Sequence, residues 1–98
     1  MTEEELQEWN ALCCLAEDST DVEVLAALSG SPYVEVREYV AANAAASVAT
    51  LIKLSKDEDW QVRETVAYHA NTPQSVLDVL QYDANDFVRD AAVKRHQQ

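Results

Sequence analysis

The sequence predicts an all-α fold: a right-handed α-α superhelix, a short solenoid of about three helix pairs at a 26-residue period behind an N-terminal capping helix. Three observations lead there. A phrase recurs: Ser31-Pro32-Tyr33-Val34-Glu35-Val36-Arg37 returns as Asp57-Glu58-Asp59-Trp60-Gln61-Val62-Arg63 and again as Asp83-Ala84-Asn85-Asp86-Phe87-Val88-Arg89. Constant spacing of this kind marks stacked supersecondary units. The chain holds one Gly and two Pro among 98 residues, with Ala prominent among the apolar set, a composition that favours helix over turn-rich folds. Finally, a Leu-x-x-Leu pair recurs in step with the phrase, as Leu25/Leu28, Leu51/Leu54 and Leu77/Leu80. Ninety-eight residues suffice for one domain and one core.

Thr2-Glu3-Glu4-Glu5 has the form of a capping box, and Leu6, Trp9, Cys13 and Ala16, flanked by Leu12 and Leu15, fall at helical spacing. A helix over about 3–16 with a wide inward apolar face follows. It lacks the Val-Arg phrase and reads as the terminal cap, residues 1–18. Ser19-Thr20-Asp21 supplies capping oxygens to the first helix of the first repeat, and Thr72-Pro73 reads as an N-cap and first-turn pair opening the third. Val36/Val40, Val62/Val66 and Val88/Ala92 each form one apolar stripe of a second helix. The expected pairs are 21–30 with 33–45, 47–56 with 59–70, and 73–82 with 85–97, in repeats 19–45, 46–71 and 72–98 of a single domain. Connections of about two to four residues suit helix hairpins. Trp9 and Trp60 read as packing residues. Lys94-Arg95-His96 suits a helix C-terminus through the dipole.

Arg37, Arg63 and Arg89 share one register, so stacking aligns them as a ladder, with Asp57 and Asp83 six residues before their Arg. A carboxylate in the turn can accept from its own repeat's guanidinium and from the next, a structural use of charge. Ser31 in place of Asp makes the first rung the weakest.

Asp-x-x-x-x-Val-Arg between short helices resembles the HEAT repeat. The 26-residue period, with Asp-x-Asp-Trp-x-Val-Arg-x-x-Val-Ala at 57–67 and Asn-Thr-Pro at 71–73, resembles the leucine-rich repeat variant more closely. The resemblance covers about residues 21–95 and departs at Ser31, at Ala44-Ala45-Ala46 in place of a Pro-containing turn, and at His69 where the family has Asn, a place Asn43 fills. It implies a superhelical scaffold that binds macromolecules across the face lined by the second helices. One described relative carries a Cys-rich iron–sulfur segment. Cys13 and Cys14 alone do not match a four-Cys cluster, so no cofactor is carried over.

With Val36 and Val40 inward, the outward residues are Glu35, Glu38, Tyr39 and Ala42, then Gln61, Glu64, Thr65 and Tyr68, then Phe87, Asp90, Ala91 and Lys94. Acids (Glu38, Glu64, Asp90) run beside aromatics (Tyr39, Tyr68, Phe87), which with Glu35 form a candidate site for a basic protein partner through ion pairing and cation–π contact. Net charge is −11, and residues 1–30 hold eight acids and no Lys or Arg. Such a balance opposes phosphate backbones and anionic lipid.

The leading expectation is therefore a non-catalytic adaptor, and the alternative is an acidic nucleic-acid mimic acting through residues 1–30. Self-association through the end helix is compatible with either. One glycine, Gly30, leaves no phosphate loop, and His69 and His96 have no ligand or nucleophile at working spacing. No catalytic, cofactor or metal residue is expected. Two adjacent cysteines build no disulfide framework, and no apolar run has signal or membrane length, which together read as a cytoplasmic chain.

Overall fold

A computed structural model describes residues 1–96, and all their regular structure is helical. Seven helices follow in order: α1 Glu3–Asp18, α2 Val22–Leu28, α3 Val34–Ala42, α4 Val48–Leu54, α5 Trp60–Tyr68, α6 Gln74–Leu80 and α7 Asp86–His96. The period is kept to the residue, since α2, α4 and α6 start at 22, 48 and 74, and α3, α5 and α7 at 34, 60 and 86. Helices α2 to α6 are each a few residues shorter than the periodicity predicts, and α1 runs on to Asp18. Residue 97 of the expected last helix lies outside the described residues.

Odd helices stack on one another, α1 on α3, α3 on α5 and α5 on α7, and each even helix packs on the two odd helices that flank it. The core follows the repeat. Leu25, Leu51, Leu54, Leu77 and Leu80 are buried together with Val36, Val40, Val62, Val66, Val88 and Ala92, while Leu28, Trp9 and Trp60 are partly buried against them. Two α1 residues expected inward are not: Leu6 is 46% and Leu15 45% exposed. Helix α1 packs on α3 and α2, so an apolar face as wide as the sequence draws is only partly covered.

Local chemistry explains the starts. Thr2 and Glu5 form the reciprocal capping box, Thr2 Oγ1 accepting from the Glu5 N–H at 3.1 Å and Glu5 Oε1 from the Thr2 N–H at 3.3 Å. Asp21 caps α2 through the N–H groups of Glu23 and Val24, Ser47 caps α4 through Thr50, and Asp59 caps α5 through Gln61. Thr72 departs from its expected role. Pro73 holds the N-cap position of α6, and the buried Thr72 hydroxyl instead donates to the Val66 carbonyl at 2.6 Å, closing the α5 terminus.

The arginine ladder is present with its direction reversed from expectation. Arg37 Nε and Nη2 donate to the two Asp57 carboxylate oxygens at 2.8 and 3.3 Å, and Arg63 repeats this on Asp83 at 2.8 and 3.1 Å. Each turn carboxylate thus accepts from the preceding repeat's arginine. Its own repeat's arginine takes the backbone: Arg63 Nη1 reaches the Asp57 carbonyl at 2.7 Å and Arg89 Nη1 the Asp83 carbonyl at 2.7 Å, as Arg37 Nη1 does with the Ser31 carbonyl at 2.8 Å. The Arg37–Asp57 and Arg63–Asp83 rungs therefore each clamp two units. Ser31 falls where Ala11 supplies no guanidinium, so the rung between α1 and the α2–α3 turn lacks both partners.

A second ladder joins the ends of the odd helices. Asn43 Nδ2 donates to the carbonyls of Ala16, Glu17 and Ser19 at 2.9, 3.2 and 2.8 Å, while its Oδ1 accepts from the Ala45 N–H at 2.8 Å. His69 does the same work with a ring. Nδ1 accepts from the Asn71 N–H at 3.0 Å, which leaves Nε2 as the donor to the Asn43 carbonyl at 2.9 Å. The Asn-to-His departure is thus a replacement that keeps one donor and one acceptor in place. His69→Asn is expected to change stability by less than about 1 kcal/mol, whereas His69→Leu leaves the Asn43 carbonyl and Asn71 N–H unmet and costs about 1–3 kcal/mol; urea unfolding of the two variants checks the difference.

Candidate functional site

The face built by the second helices is acidic where α3 meets α5. Glu35 and Glu38 lie one helical turn apart on α3, Glu64 sits on α5 in the register of Glu38, and Asp59 caps that helix. All four are half-buried. Glu35 Oε1 accepts from the Trp9 indole N–H at 3.3 Å, and Asp59 Oδ1 from the Gln61 N–H at 2.8 Å. Glu38 senses the whole group: burial, then the charges of Asp59, Glu35 and Glu64, push its carboxyl above the usual glutamate value, and every influence acting on it has that sign.

Asp59 is the member that sequence reasoning missed. The signal was available in its register, since Asn85, 26 residues on, caps α7 through the Phe87 and Val88 N–H groups as Asp59 caps α5. A capping residue placed beside a second-helix acid is a charge on the same surface.

Aromatic surface adjoins the acids. The Phe87 ring stacks on Trp60 with centroids 5.2 Å apart and planes 22° apart, yet Phe87 remains 60% exposed. Tyr39 is exposed beside Glu38, and Tyr68 is exposed one turn after Glu64. Asp90, the third acid of the predicted row, is exposed on α7 and is not among the charges acting on Glu38. The structure thus gathers Glu35, Glu38 and Glu64 where α3 meets α5, and Asp90 continues the register of Glu64 on α7, which packs on α5.

Two outward assignments are corrected: Ala91 is fully buried, and Thr65 is half-buried with its hydroxyl donating to the Gln61 carbonyl at 2.8 Å. Helix α7 packs closely on α6 as well as α5, and a methyl group at this register permits the approach. Arg37, Asp57, Arg63 and Asp83 are occupied in the ladder, and Arg89 pairs with Asp86 in its own first turn.

The cysteines divide. Cys13 is buried, and burial, followed by the nearby charges of Glu35, Cys14 and Glu17, pushes its thiol up, away from nucleophilic character; Cys14 is exposed. No helix among the described residues is long and apolar enough to cross a membrane. Comparison with protein-family models, with curated proteins and with solved structures returned no match to the chain.

The Glu38 environment gives a direct prediction. A carboxyl raised in the fold is a cost at neutral pH: the penalty sets in as pH rises past the ordinary glutamate value of 4.5 and is complete above the folded value. Glu38→Gln is expected to raise stability at pH 7 by a few tenths to about 1 kcal/mol and to make no difference below pH 4. Thermal melts of both proteins at the two pH values check it.

Proposed function

We propose that this chain is a non-catalytic interaction module, a short HEAT-like or leucine-rich-repeat-variant solenoid, that takes a basic protein segment on its second-helix face. The 26-residue register and the two inter-repeat ladders support the repeat reading. The observation that carries the binding reading is Glu38, half-buried among Asp59, Glu35 and Glu64 with every influence unfavourable to its charge. A Lys or Arg docking there relieves the repulsion, and the gain adds to affinity because it exists only in the complex. Phe87 and Tyr39 offer ring faces for cation–π contact with the same segment. Two unpaired cysteines support a cytoplasmic setting.

The test is binding of fluorescent Lys/Arg-rich peptides followed by anisotropy at two salt concentrations. Wild type is expected to bind more tightly at low salt, and Glu38→Lys with Glu64→Lys to weaken binding at least about tenfold, since each reversed charge turns an attraction into a repulsion. Equal affinity of the reversed variant overturns the reading. The alternative, an acidic nucleic-acid mimic, is favoured instead if loss follows Glu3, Glu4 and Glu8→Gln and not the α3–α5 substitutions.

A further inference from the structure

The arginine ladder points along the stack, and among the described residues Arg89 holds no carboxylate of a further unit. Arg37 and Arg63 each hold a turn carboxylate of the following unit, whereas Arg89 keeps the backbone half of the pattern and turns its Nη2 to Asp86, with side chains 40% and 81% exposed. Helix α7 also exposes Lys94, Val93 (38%) and Phe87 (60%), while Arg95 donates to the Ala70 carbonyl.

Helix α1 presents the complementary surface. It holds Glu3, Glu4, Glu5, Glu8, Glu17 and Asp18 with no basic residue, and it exposes Leu6 and Leu15. Glu5 is one of the exposed carboxylates of α1, in its first turn. Glu5 is exposed and its carboxylate accepts from the Thr2 N–H, one bond of the several a carboxylate can take.

We propose that the chain self-associates head to tail, α7 of one copy stacking on α1 of a second, with Arg89 donating to Glu5 of the second copy and the Val93 flank covering Leu15. The contact is heterologous, so copies add without closing a two-fold dimer. It pairs one helix flank with another, an area at the small end of specific interfaces, so association is weak and salt-sensitive.

Sedimentation equilibrium of the whole chain across a concentration series tests it. Wild type is expected to show a mass that climbs past the dimer with concentration and falls with added salt. Leu15→Glu blocks one flank and Val93→Glu the other, so each alone weakens association at least tenfold, while an equimolar mixture, one free α7 flank meeting one free α1 flank, forms a dimer that stops at two copies. Both sites are partly exposed, and circular dichroism confirms that the variants stay helical. If either misfolds, Glu5→Arg and Arg89→Glu serve the same design: each alone weakens association, and their mixture restores a pair. A wild type monomeric throughout the series overturns the proposal, as does a mixture that fails to associate where wild type does, which would mark an isologous contact.

Discussion

Arg63→Ala is expected to destabilise the fold by about 3 kcal/mol, the low end of the range for removing one partner of a buried ion pair, because Arg63 and Asp83 are partly buried. The size comes from what is left behind. The Asp83 side chain is 11% exposed and loses both guanidinium bonds, and the Asp57 carbonyl loses its donor. Arg63→Lys keeps the charge but cannot span carboxylate and carbonyl with one planar fork, so it recovers only part of the loss. Arg89→Ala is the internal control: its ion pair is exposed and lies within one helix, where such pairs contribute under about 1 kcal/mol, so its cost is mainly the bond to the Asp83 carbonyl. Urea unfolding of the three variants orders them, and equal losses at Arg63 and Arg89 would remove the ladder from the account of stability.

The same rung sets an acid limit. Burial pushes the Asp83 carboxyl up, but its Arg63 hydrogen bond, the Asn85 N–H and the charges of Arg63 and Arg89 together outweigh burial and hold it below the usual aspartate value of 3.8. A depressed carboxyl contributes stability above its unfolded value and loses it as pH falls through the folded one. The contribution is therefore intact at pH 5 and fades below about pH 4. In Asp83→Asn that part of the acid limb is absent, because the variant has already lost it at neutral pH.

What the sequence made legible is whatever the period carries. Val36, Val62 and Val88 could be placed in the core because three copies agree, and the helix starts followed to within a few residues. The direction of the ladder could not be read, since Asp57 and Arg63 share one phrase while the carboxylate bond runs 20 residues back to Arg37. That choice depends on which neighbouring turn a second helix reaches, a property of the stack. Leu6 and Leu15 show the complementary failure: periodicity marks an apolar face without saying how much of it a neighbour covers. For the candidate site, the acids of α3 and α5 were legible from register, but their mutual repulsion was not. It arises from half-burial and from Asp59, whose capping role draws attention away from its charge.

Leu54→Ala is expected to cost about 2–5 kcal/mol, the range for deleting a fully buried leucine side chain. Against a total stability of about 5–15 kcal/mol for a domain of this kind, that is a large share. Leu54 is 1% exposed at the end of α4, which packs on both α3 and α5, so the cavity is walled on two sides and relaxes little. Leu28 has the same register on α2 but is only partly buried, and its alanine variant is expected to cost about half as much, because a half-exposed site removes less surface from water and refills with solvent. The two also differ in what they uncouple. Helices here touch chiefly their nearest neighbours, so a cavity at Leu54 weakens the contact between the units on either side, whereas the α1–α3 unit already lacks the Ala11–Ser31 rung. Leu54→Ala should therefore broaden the urea transition and lower its slope, with amides of α5 to α7 exchanging apart from those of α1 to α3, while Leu28→Ala keeps one sharp transition. A sharp, parallel-shifted transition in both variants would mean that the ladders alone hold the stack together as one cooperative unit.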